Sequence, residues 1–185
     1  MKKKTIIIIS LVFVISLLSF TIAYLVRETD TRSIITFGSL KMQLLETTIE
    51  NGEEIEVKEN DTMDISNTSN VSRIVKVKNV GNHPMYVRLK LSVIGNTKTE
   101  EEIDLTNLVT IPILENWIYQ DGYYYYNNIL KKNEESTPLM REIIFNNQTL
   151  SNDYLGAKIK LEIDAYAVQS EHNSSNVLEA EGWPE

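Results

Sequence analysis

Apolar and polar residues alternate at every second position in several segments of this chain, and that pattern constrains its fold more than any other feature. In residues 85–93 every odd position is apolar, and the even positions are Tyr, Arg, Lys and Ser. Residues 157–167 repeat the pattern, with Ala, Ile or Leu at every odd position. Successive side chains of a β-strand point to opposite faces of a sheet, so each segment predicts a strand with one buried and one wet face.

Shorter segments with the same alternation accompany these two strands. They are residues 40–44, 75–78 and 141–145. Residues 79–84 lie between two of the predicted strands and contain Asn, Gly, His and Pro, which is typical of a hairpin connection. Gly38 shortly precedes the first short segment and indicates a bulge or bend there.

Two other regions are less regular. Residues 47–70 are acidic and then rich in Asn, Ser and Thr, which predicts a short strand and loops. Residues 100–108 have Leu105 and Leu108 three positions apart and are predicted to be helical or irregular. We find no internal repeat and no long Pro/Gly linker, and about seven to nine short strands at this spacing are typical of a sandwich. The sequence therefore predicts an all-β fold, a single antiparallel β-sandwich domain.

The N-terminus has the composition of a secretory signal peptide. Three lysines follow the first methionine and precede residues 6–20, which are largely apolar. Thr21 and Ala23 then place small residues at the two positions that a signal peptidase reads. We therefore predict cleavage between Ala23 and Tyr24, and a protein that is secreted to the cell surface or the extracellular matrix.

The same segment allows a second interpretation, because residues 5–26 are long enough to span a bilayer. An uncleaved signal would then serve as a membrane anchor that reaches Val26. If the signal is cleaved, the domain consists of residues 24–185.

The exported part of the chain is distinctly acidic. Removal of residues 1–23 takes away three lysines and no acidic residue, which changes the net charge from −8 to −11. This charge argues against a nucleic-acid partner, because phosphates are bound by clustered Lys and Arg. It is typical of a self-repelling monomer that needs a directed contact in order to assemble.

The chain offers little material for catalysis or for a metal site. It has no cysteine, which excludes a disulfide, a thiolate metal site and a cysteine nucleophile. Its two histidines, His83 and His172, lie in polar loop segments without a catalytic partner nearby in sequence. The acidic runs at residues 53–54, 100–102 and 134–135 lack the ligand spacing of a dedicated calcium loop. We therefore predict neither an enzyme nor a cofactor, and calcium binding stays an alternative.

Residues 117–126 predict a β-hairpin that is rich in aromatic side chains. Trp117 opens the segment, and Asp121 and Gly122 tolerate the positive φ angles of a two-residue turn. The following strand holds one tyrosine pair on each face: Tyr123 with Tyr125, and Tyr124 with Tyr126. At most two rings could then form an exposed stacking platform for a carbohydrate, so core and cross-strand packing is the favoured interpretation.

Four stretches of the chain occur in an order that is found in one protein family. They are Ala23-Tyr24 followed by residues 37–40, residues 77–88, residues 117–130, and residues 165–169 followed by 180–183. Together they resemble the TasA/camelysin family of exported Gram-positive proteins, whose members build biofilm matrix fibres. Family members often have a Pro-Gly-Glu turn after the tyrosine hairpin, where this chain has Lys-Asn-Glu-Glu-Ser-Thr at residues 132–137. Asn133 can occupy a left-handed turn position, so we expect the loop to be kept with different residues.

The resemblance implies a jelly-roll sandwich that forms extracellular fibres by donor-strand exchange. In such an assembly the sandwich lacks one strand, and an extended segment of the next subunit supplies it. The candidate donor strand is residues 24–35, with Tyr24, Leu25, Val26, Ile34 and Ile35 as its apolar residues. Cleavage by a SipW-type signal peptidase would release this donor, and head-to-tail insertion generates an open filament. Residues 170–185 would form a C-terminal tail.

The implied partners are further copies of the same chain, possible other matrix proteins, and the SipW-type peptidase during export. Two alternatives remain. A camelysin-like surface metalloprotease fits poorly, because His83 and His172 alone cannot supply a familiar zinc site. A monomeric surface adhesin or ligand-binding sandwich belongs to a different class and would bind its ligand without polymerising.

Overall fold

The computed structural model describes residues 34–57, 61–64, 70–96, 102–145 and 158–184, which contain β-strands, two short 3-10 helices and no α-helix. The strands are β1 (Ile34–Phe37), β2 (Leu40–Glu50), β3 (Glu53–Glu56), β4 (Met63–Asp64), β5 (Asn70–Ser72), β6 (Ile74–Asn79), β7 (Met85–Asn96), β8 (Glu102–Asp104), β9 (Val109–Thr110), β10 (Trp117–Gln120), β11 (Tyr123–Tyr126), β12 (Glu142–Phe145) and β13 (Lys158–Gln169). The all-β prediction is confirmed for these residues. The predicted signal peptide and residues 24–33 of the candidate donor strand lie outside the described ranges.

The first sheet is built around β2. Met42 lies opposite both Ile35 of β1 and Asn79 of β6, so β1 and β6 flank β2 on opposite edges. Thr47 likewise lies opposite Glu56 of β3 on one edge of β2 and opposite Ile74 of β6 on the other. β1 and β3 therefore share one edge of β2, each covering part of its length.

Residues 134–141 extend this sheet beyond β6 without forming a regular strand. Ser136 N donates to Val77 O at 2.8 Å, and Leu139 N donates to Val75 O at 2.8 Å. The chain then enters β12, which pairs with β5 on one edge and with β9 on the other. Since β5 directly precedes β6 in the chain, the small sheet β5-β12-β9 continues the first sheet beyond the start of β6.

The second sheet has the long antiparallel pair β7 and β13 at its centre. Their register runs from Met85 opposite Gln169 to Asn96 opposite Lys158. β11 and β8 pair with separate parts of the other edge of β7, and β10 pairs with β11. Gly95 of β7 has no room for a side chain, because an added Cβ would lie 2.5 Å from Leu105 Cδ1.

The main core lies between the two sheets, which gives the described residues a β-sandwich-like arrangement. Its fully buried members include Met42 and Val77 from the first sheet and Val87, Leu89 and Ile159 from the second. These are the positions at which the alternating pattern places apolar residues, and burial of one such side chain is worth about 1.5–3 kcal/mol. A smaller apolar cluster lies on the outer face of the second sheet, beneath the C-terminal tail.

Candidate functional site

Among the described residues, few form strand pairs with the outer edge of β13. β13 pairs with β7 along its whole length, whereas β4 covers its other edge only at Lys158 and Ile159. No other described segment forms a backbone hydrogen bond with that edge between residues 160 and 168. Alternate residues of an edge strand direct their N–H and C=O groups away from the sheet, where they can template another strand.

β1 of the opposite sheet lies beside this open edge. The Phe37 ring stacks on the Tyr166 ring of β13 with 6.3 Å between the ring centres, but no strand pairing joins the two described strands. Ile35 and Phe37 are only half-buried, although both pack against the core. A strand added to β13 at this point would cover apolar surface of β1 as well as pairing with backbone groups.

A groove of about 430 Å³ lies at the Gln169 end of the open edge. Residues 37–40 of the β1–β2 connection and residues 167–169 of β13 line two of its sides. Residues of the C-terminal tail, among them Glu171, Asn173 and Glu181, line the remainder. The groove therefore continues the open edge into a pocket with a polar, acidic side.

The tail is held against the second sheet by a set of specific hydrogen bonds. Asn173 Nδ2 donates to Glu181 O at 3.1 Å, and Glu181 N donates back to Asn173 Oδ1 at 3.0 Å, which closes the tail into a loop. Tyr86 OH donates to Ser174 O at 2.9 Å. Asn176 accepts from Leu178 N through its side chain at 3.1 Å and so caps the short 3-10 helix Val177–Glu179. These contacts position the tail side of the groove.

Arg88 anchors the end of the tail on the outer face of the second sheet. Its Nη2 donates to Pro184 O at 3.0 Å, and its guanidinium carbon lies 4.8 Å from the centre of the Trp183 ring. The same carbon lies 4.0 Å from the Tyr123 ring centre and 5.2 Å from that of Tyr166. A guanidinium within about 6 Å of several rings gains cation–π attraction from each of them.

The aromatic hairpin supports both faces of the second sheet. Asp121 and Gly122 form its turn with φ angles of 51° and 83°. Trp117 packs on Tyr126 in the core, with 5.1 Å between ring centres. Tyr119 packs on Tyr124 at the rim of the core. Tyr125 packs on Trp183 of the tail on the outer face. The Tyr119 and Tyr124 rings are tilted by 44°, so they do not form a flat stacking platform.

The structure describes only the last two residues of the candidate donor strand, residues 24–35. Ile34 and Ile35 lie in β1, opposite Gln43 and Met42 of the same chain. Ile34 has 59 % of its surface exposed. Tyr24, Leu25 and Val26, together with the cleavage position after Ala23, lie outside the described residues. A donor in trans would therefore consist of residues that precede β1.

In the part of the chain that the structure describes, the histidines and acidic runs do not converge on a common site. His83 Nδ1 lies 3.8 Å from Glu171 Oε2 at the surface, while His172 is exposed in the turn that opens the tail. Glu135 forms an ion pair of 2.8 Å with Lys78. Within the described ranges, no group of three or more His, Cys, Asp or Glu side chains has the geometry to hold a metal ion.

Sequence reasoning missed Arg73, a buried arginine between β5 and β6 whose two acidic neighbours are partly exposed. Arg73 is 1 % exposed, with Glu46 at 3.3 Å and Asp61 at 3.6 Å. Burial raises the pKa of Glu46 above its ordinary range; the Arg73 charge opposes that rise and Asp61 adds to it. Its burial could have been inferred from the alternating pattern, because Arg73 lies two positions before Val75 and four before Val77, which both face the core.

No family model, curated protein or solved structure matches this chain. Separately, none of the helices in the described ranges has the length and apolar character needed to cross a membrane.

Proposed function

We propose that this protein is a secreted structural subunit of extracellular fibres, with a jelly-roll-like sandwich that polymerises by donor-strand exchange. The observation that carries the proposal is the outer edge of β13, which lacks a described strand partner between residues 160 and 168. An extended segment from a neighbouring copy would satisfy the backbone groups of this edge and cover the half-buried Ile35 and Phe37.

The donor in this proposal is residues 24–33 of the next copy, which directly precede β1. Ile34 and Ile35 stay in the hairpin with β2 of their own chain. Ten extended residues span about 33 Å, and the nine-residue open edge of β13 spans about 30 Å, so the two lengths match. Signal cleavage after Ala23 would free this segment and thereby start assembly.

The exported chain, residues 24–185, tests the proposal directly. We expect it to form regular filaments in negative-stain electron microscopy, with a rise in light scattering that depends on protein concentration. A chain that lacks residues 24–33 should remain monomeric, and it should bind a synthetic peptide of residues 24–33, which would show that its acceptor edge is folded.

Polymerisation of the 24–33 deletion at the wild-type rate would contradict donor-strand exchange. A wild-type protein that stays monomeric under all salt and pH conditions would contradict the fibre function. In that case a glycan array with the monomer would decide whether it is an adhesin, with Tyr119 as the most exposed aromatic side chain of the hairpin at 57 %.

A further inference from the structure

Two tyrosines of the aromatic hairpin face each other across its strands. Tyr119 of β10 lies directly opposite Tyr124 of β11, and the centres of their rings are 4.8 Å apart. This separation is at the short end of the range for aromatic pairs, so the two rings are in contact. Tyr119 is 57 % exposed, whereas Tyr124 is half-buried and packs against the core. One ring of the pair is therefore open to reagents in solution, and the other is fixed in place beside it.

The other tyrosine pairs in the described ranges lie beside a positive charge. The Tyr123 ring centre is 5.8 Å from that of Tyr166 and 6.3 Å from that of Tyr125, and both contacts are edge-on. The Arg88 guanidinium carbon lies 4.0 Å from the Tyr123 ring centre, and Arg88 Nη1 lies 3.5 Å from the Tyr125 hydroxyl. A positive charge at this distance opposes the removal of an electron from a ring. Among the described residues no cation lies over the other two rings, so Tyr119 with its partner across the hairpin is the more easily oxidised pair.

We infer that Tyr119 and Tyr124 are the site of an oxidative cross-link, a carbon–carbon bond between the two phenol rings, formed by a haem peroxidase with hydrogen peroxide. The bond joins the ring carbons that lie next to the hydroxyl-bearing carbons. The chain has no cysteine, so this dityrosine bond would provide the covalent link between strands that a disulfide provides in other proteins. The inference concerns the hairpin alone and does not depend on the proposed fibre function.

The reaction removes two electrons and two protons from the pair. Tyr119 gives one electron to the peroxidase and its hydroxyl proton to water, which leaves a neutral phenoxyl radical on the exposed ring. Tyr124 is oxidised in the same way through the Tyr119 ring that it contacts, and Tyr119 is then oxidised a second time. The two radicals combine to form the carbon–carbon bond, and the hydrogen on each bonded carbon moves as a proton to the phenoxyl oxygen, which restores two phenols. One hydrogen peroxide molecule takes up the two electrons and two protons and becomes two water molecules.

The cross-link would fix an edge strand of the second sheet. Within the described ranges β10 pairs only with β11, so it can separate from the sheet locally. A bond between the two tyrosines closes residues 119–124 into a ring and prevents that separation. Because the closed segment is short, the effect on global stability is small and the main effect is local. β10 and the open edge of β13 lie on opposite sides of β7, so the acceptor edge of the proposed fibre is left unchanged.

Treatment of the dilute exported chain, residues 24–185, with a haem peroxidase and hydrogen peroxide tests the cross-link. Monomer is separated from cross-linked oligomers on a denaturing gel, and its dityrosine is measured by fluorescence. Digestion on the N-terminal side of Asp121 cuts between Tyr119 and Tyr124, so an intramolecular bond holds together two peptides that otherwise separate. Mass spectrometry should find the joined peptides lighter by two hydrogen atoms than the sum of the separate ones.

Single replacements by phenylalanine identify the two rings. Tyr119→Phe and Tyr124→Phe should each lower the dityrosine yield of the monomer about tenfold, because phenylalanine has no phenolic hydroxyl to lose. The matched control is Tyr123→Phe, which removes a phenol from the same strand and should give nearly the wild-type yield. Each variant keeps its ring, and a urea unfolding curve shows that it is folded. Oxidation of the wild-type chain in urea should spread the cross-links over other tyrosines, because the pairing of the two strands is lost.

A Tyr119→Phe monomer that forms as much dityrosine as the wild-type monomer would overturn the assignment. A wild-type monomer that forms no cross-link, while free tyrosine added to the same solution is converted to dityrosine, would also overturn it. Filament formation is followed separately by electron microscopy, so the fibre proposal stands or fails independently of this result.

Discussion

The guanidinium carbon of Arg88 lies 4.8 Å from the centre of the Trp183 ring, although 95 positions separate the two residues along the chain. Through this contact the first half of β7 holds the end of the C-terminal tail. Tyr123 of the aromatic hairpin lies 4.0 Å from the same carbon, so one cation connects a central strand, a hairpin and the tail. The position of the tail therefore depends on side chains from three separate parts of the sequence.

Replacement of Trp183 by alanine should loosen the tail. The ring is half-buried and makes both an edge-to-face contact with Tyr125 and a cation–π contact with Arg88. We expect a loss of about 1–2 kcal/mol in the free energy that holds the tail, measured as faster hydrogen exchange at Ala180 N–H, which donates to Val177 O. Trp183→Phe keeps an aromatic ring and should retain most of the protection, and equal protection in the alanine variant would contradict this role.

Replacement of Gly122 by alanine should destabilise the aromatic hairpin through the backbone alone. Gly122 has a φ of 83°, and no atom lies within 4 Å of the position that an added Cβ would occupy. The expected cost is about 1–2 kcal/mol in the free energy of unfolding, measured with urea. Asp121→Gly at the preceding turn position, where φ is 51°, is the matched control and should leave stability unchanged or slightly increased.

Replacement of Arg73 by methionine should be destabilising. Its buried side chain lies 3.3 Å from Glu46, and its removal leaves that carboxylate without its nearest counter-charge. Removal of one partner of a fully buried ion pair costs about 3–5 kcal/mol, and we expect a smaller loss here because the Glu46 side chain is partly exposed. The double variant Arg73→Met with Glu46→Gln should recover a large part of this loss in urea denaturation, and strictly additive losses would argue against coupling between the two residues.

The pH dependence of stability should reveal the state of Glu46. Because burial raises its pKa in the folded protein, this carboxyl group contributes most stability below its unfolded pKa of about 4.3 and loses that contribution as the pH rises through its folded pKa. The free energy of unfolding of the wild-type protein minus that of Glu46→Gln should therefore decrease as the pH rises above the unfolded pKa. An increase over that interval would mean that attraction to Arg73 outweighs burial.

The absence of cysteine makes the direction of strand insertion testable by disulfide trapping. In an antiparallel arrangement, like that of β4 on the same edge of β13, a cysteine at Leu25 of one copy should cross-link to a cysteine at Gln169 of another, and one at Thr31 to a cysteine at Ile163. Disulfides require Cα atoms about 4.4–6.8 Å apart, so neighbouring donor positions should be tested in parallel. Dimers on non-reducing gels with the opposite pairing, Leu25 with Lys160, would contradict the antiparallel direction.

The two long strands were predictable because their signal is local. Residues 85–93 and 157–167 were predicted from alternation, and the structure has β7 at Met85–Asn96 and β13 at Lys158–Gln169. In each, the odd positions supply residues to the core, as the alternation predicts for a half-buried strand. The strands extend beyond the predicted segments because the additional residues at their ends pair with the neighbouring strand, which the sequence of one segment alone does not reveal.

The region after residue 47 was predicted less well, although one strong signal was present there. β2 extends to Glu50 and turns back into β3 through Asn51 and Gly52, whose φ angles are 52° and 86°. An Asn-Gly pair is the most reliable sign of a two-residue hairpin turn. β3 itself has three carboxylates in four residues and no apolar alternation, so its pairing with β2 identifies it as a strand where its composition does not.

The candidate site could not be predicted in the same way. Alternation tells which face of a strand is wet, but it does not tell which edge of that strand has a partner. The open edge of β13 depends on β4 covering only Lys158 and Ile159, and the groove depends on a tail held by Arg88. Both are long-range relationships, as is the close approach of Leu105 to Gly95. Residues 100–108 were predicted to be helical or irregular, and their described part forms the strand β8 and the 3-10 helix Thr106–Leu108.

The carboxylates of β3 have a consequence for the thickness of any polymer that this protein forms. Glu53, Glu54 and Glu56 lie on an outer edge of the first sheet. Two molecules that approached each other through these edges would bring like charges together, so side-by-side bundling is penalised while growth at the filament tip is not. Ionic strength would then control bundling separately from elongation. Single filaments are expected at low salt, and bundled filaments where counter-ions screen the glutamates.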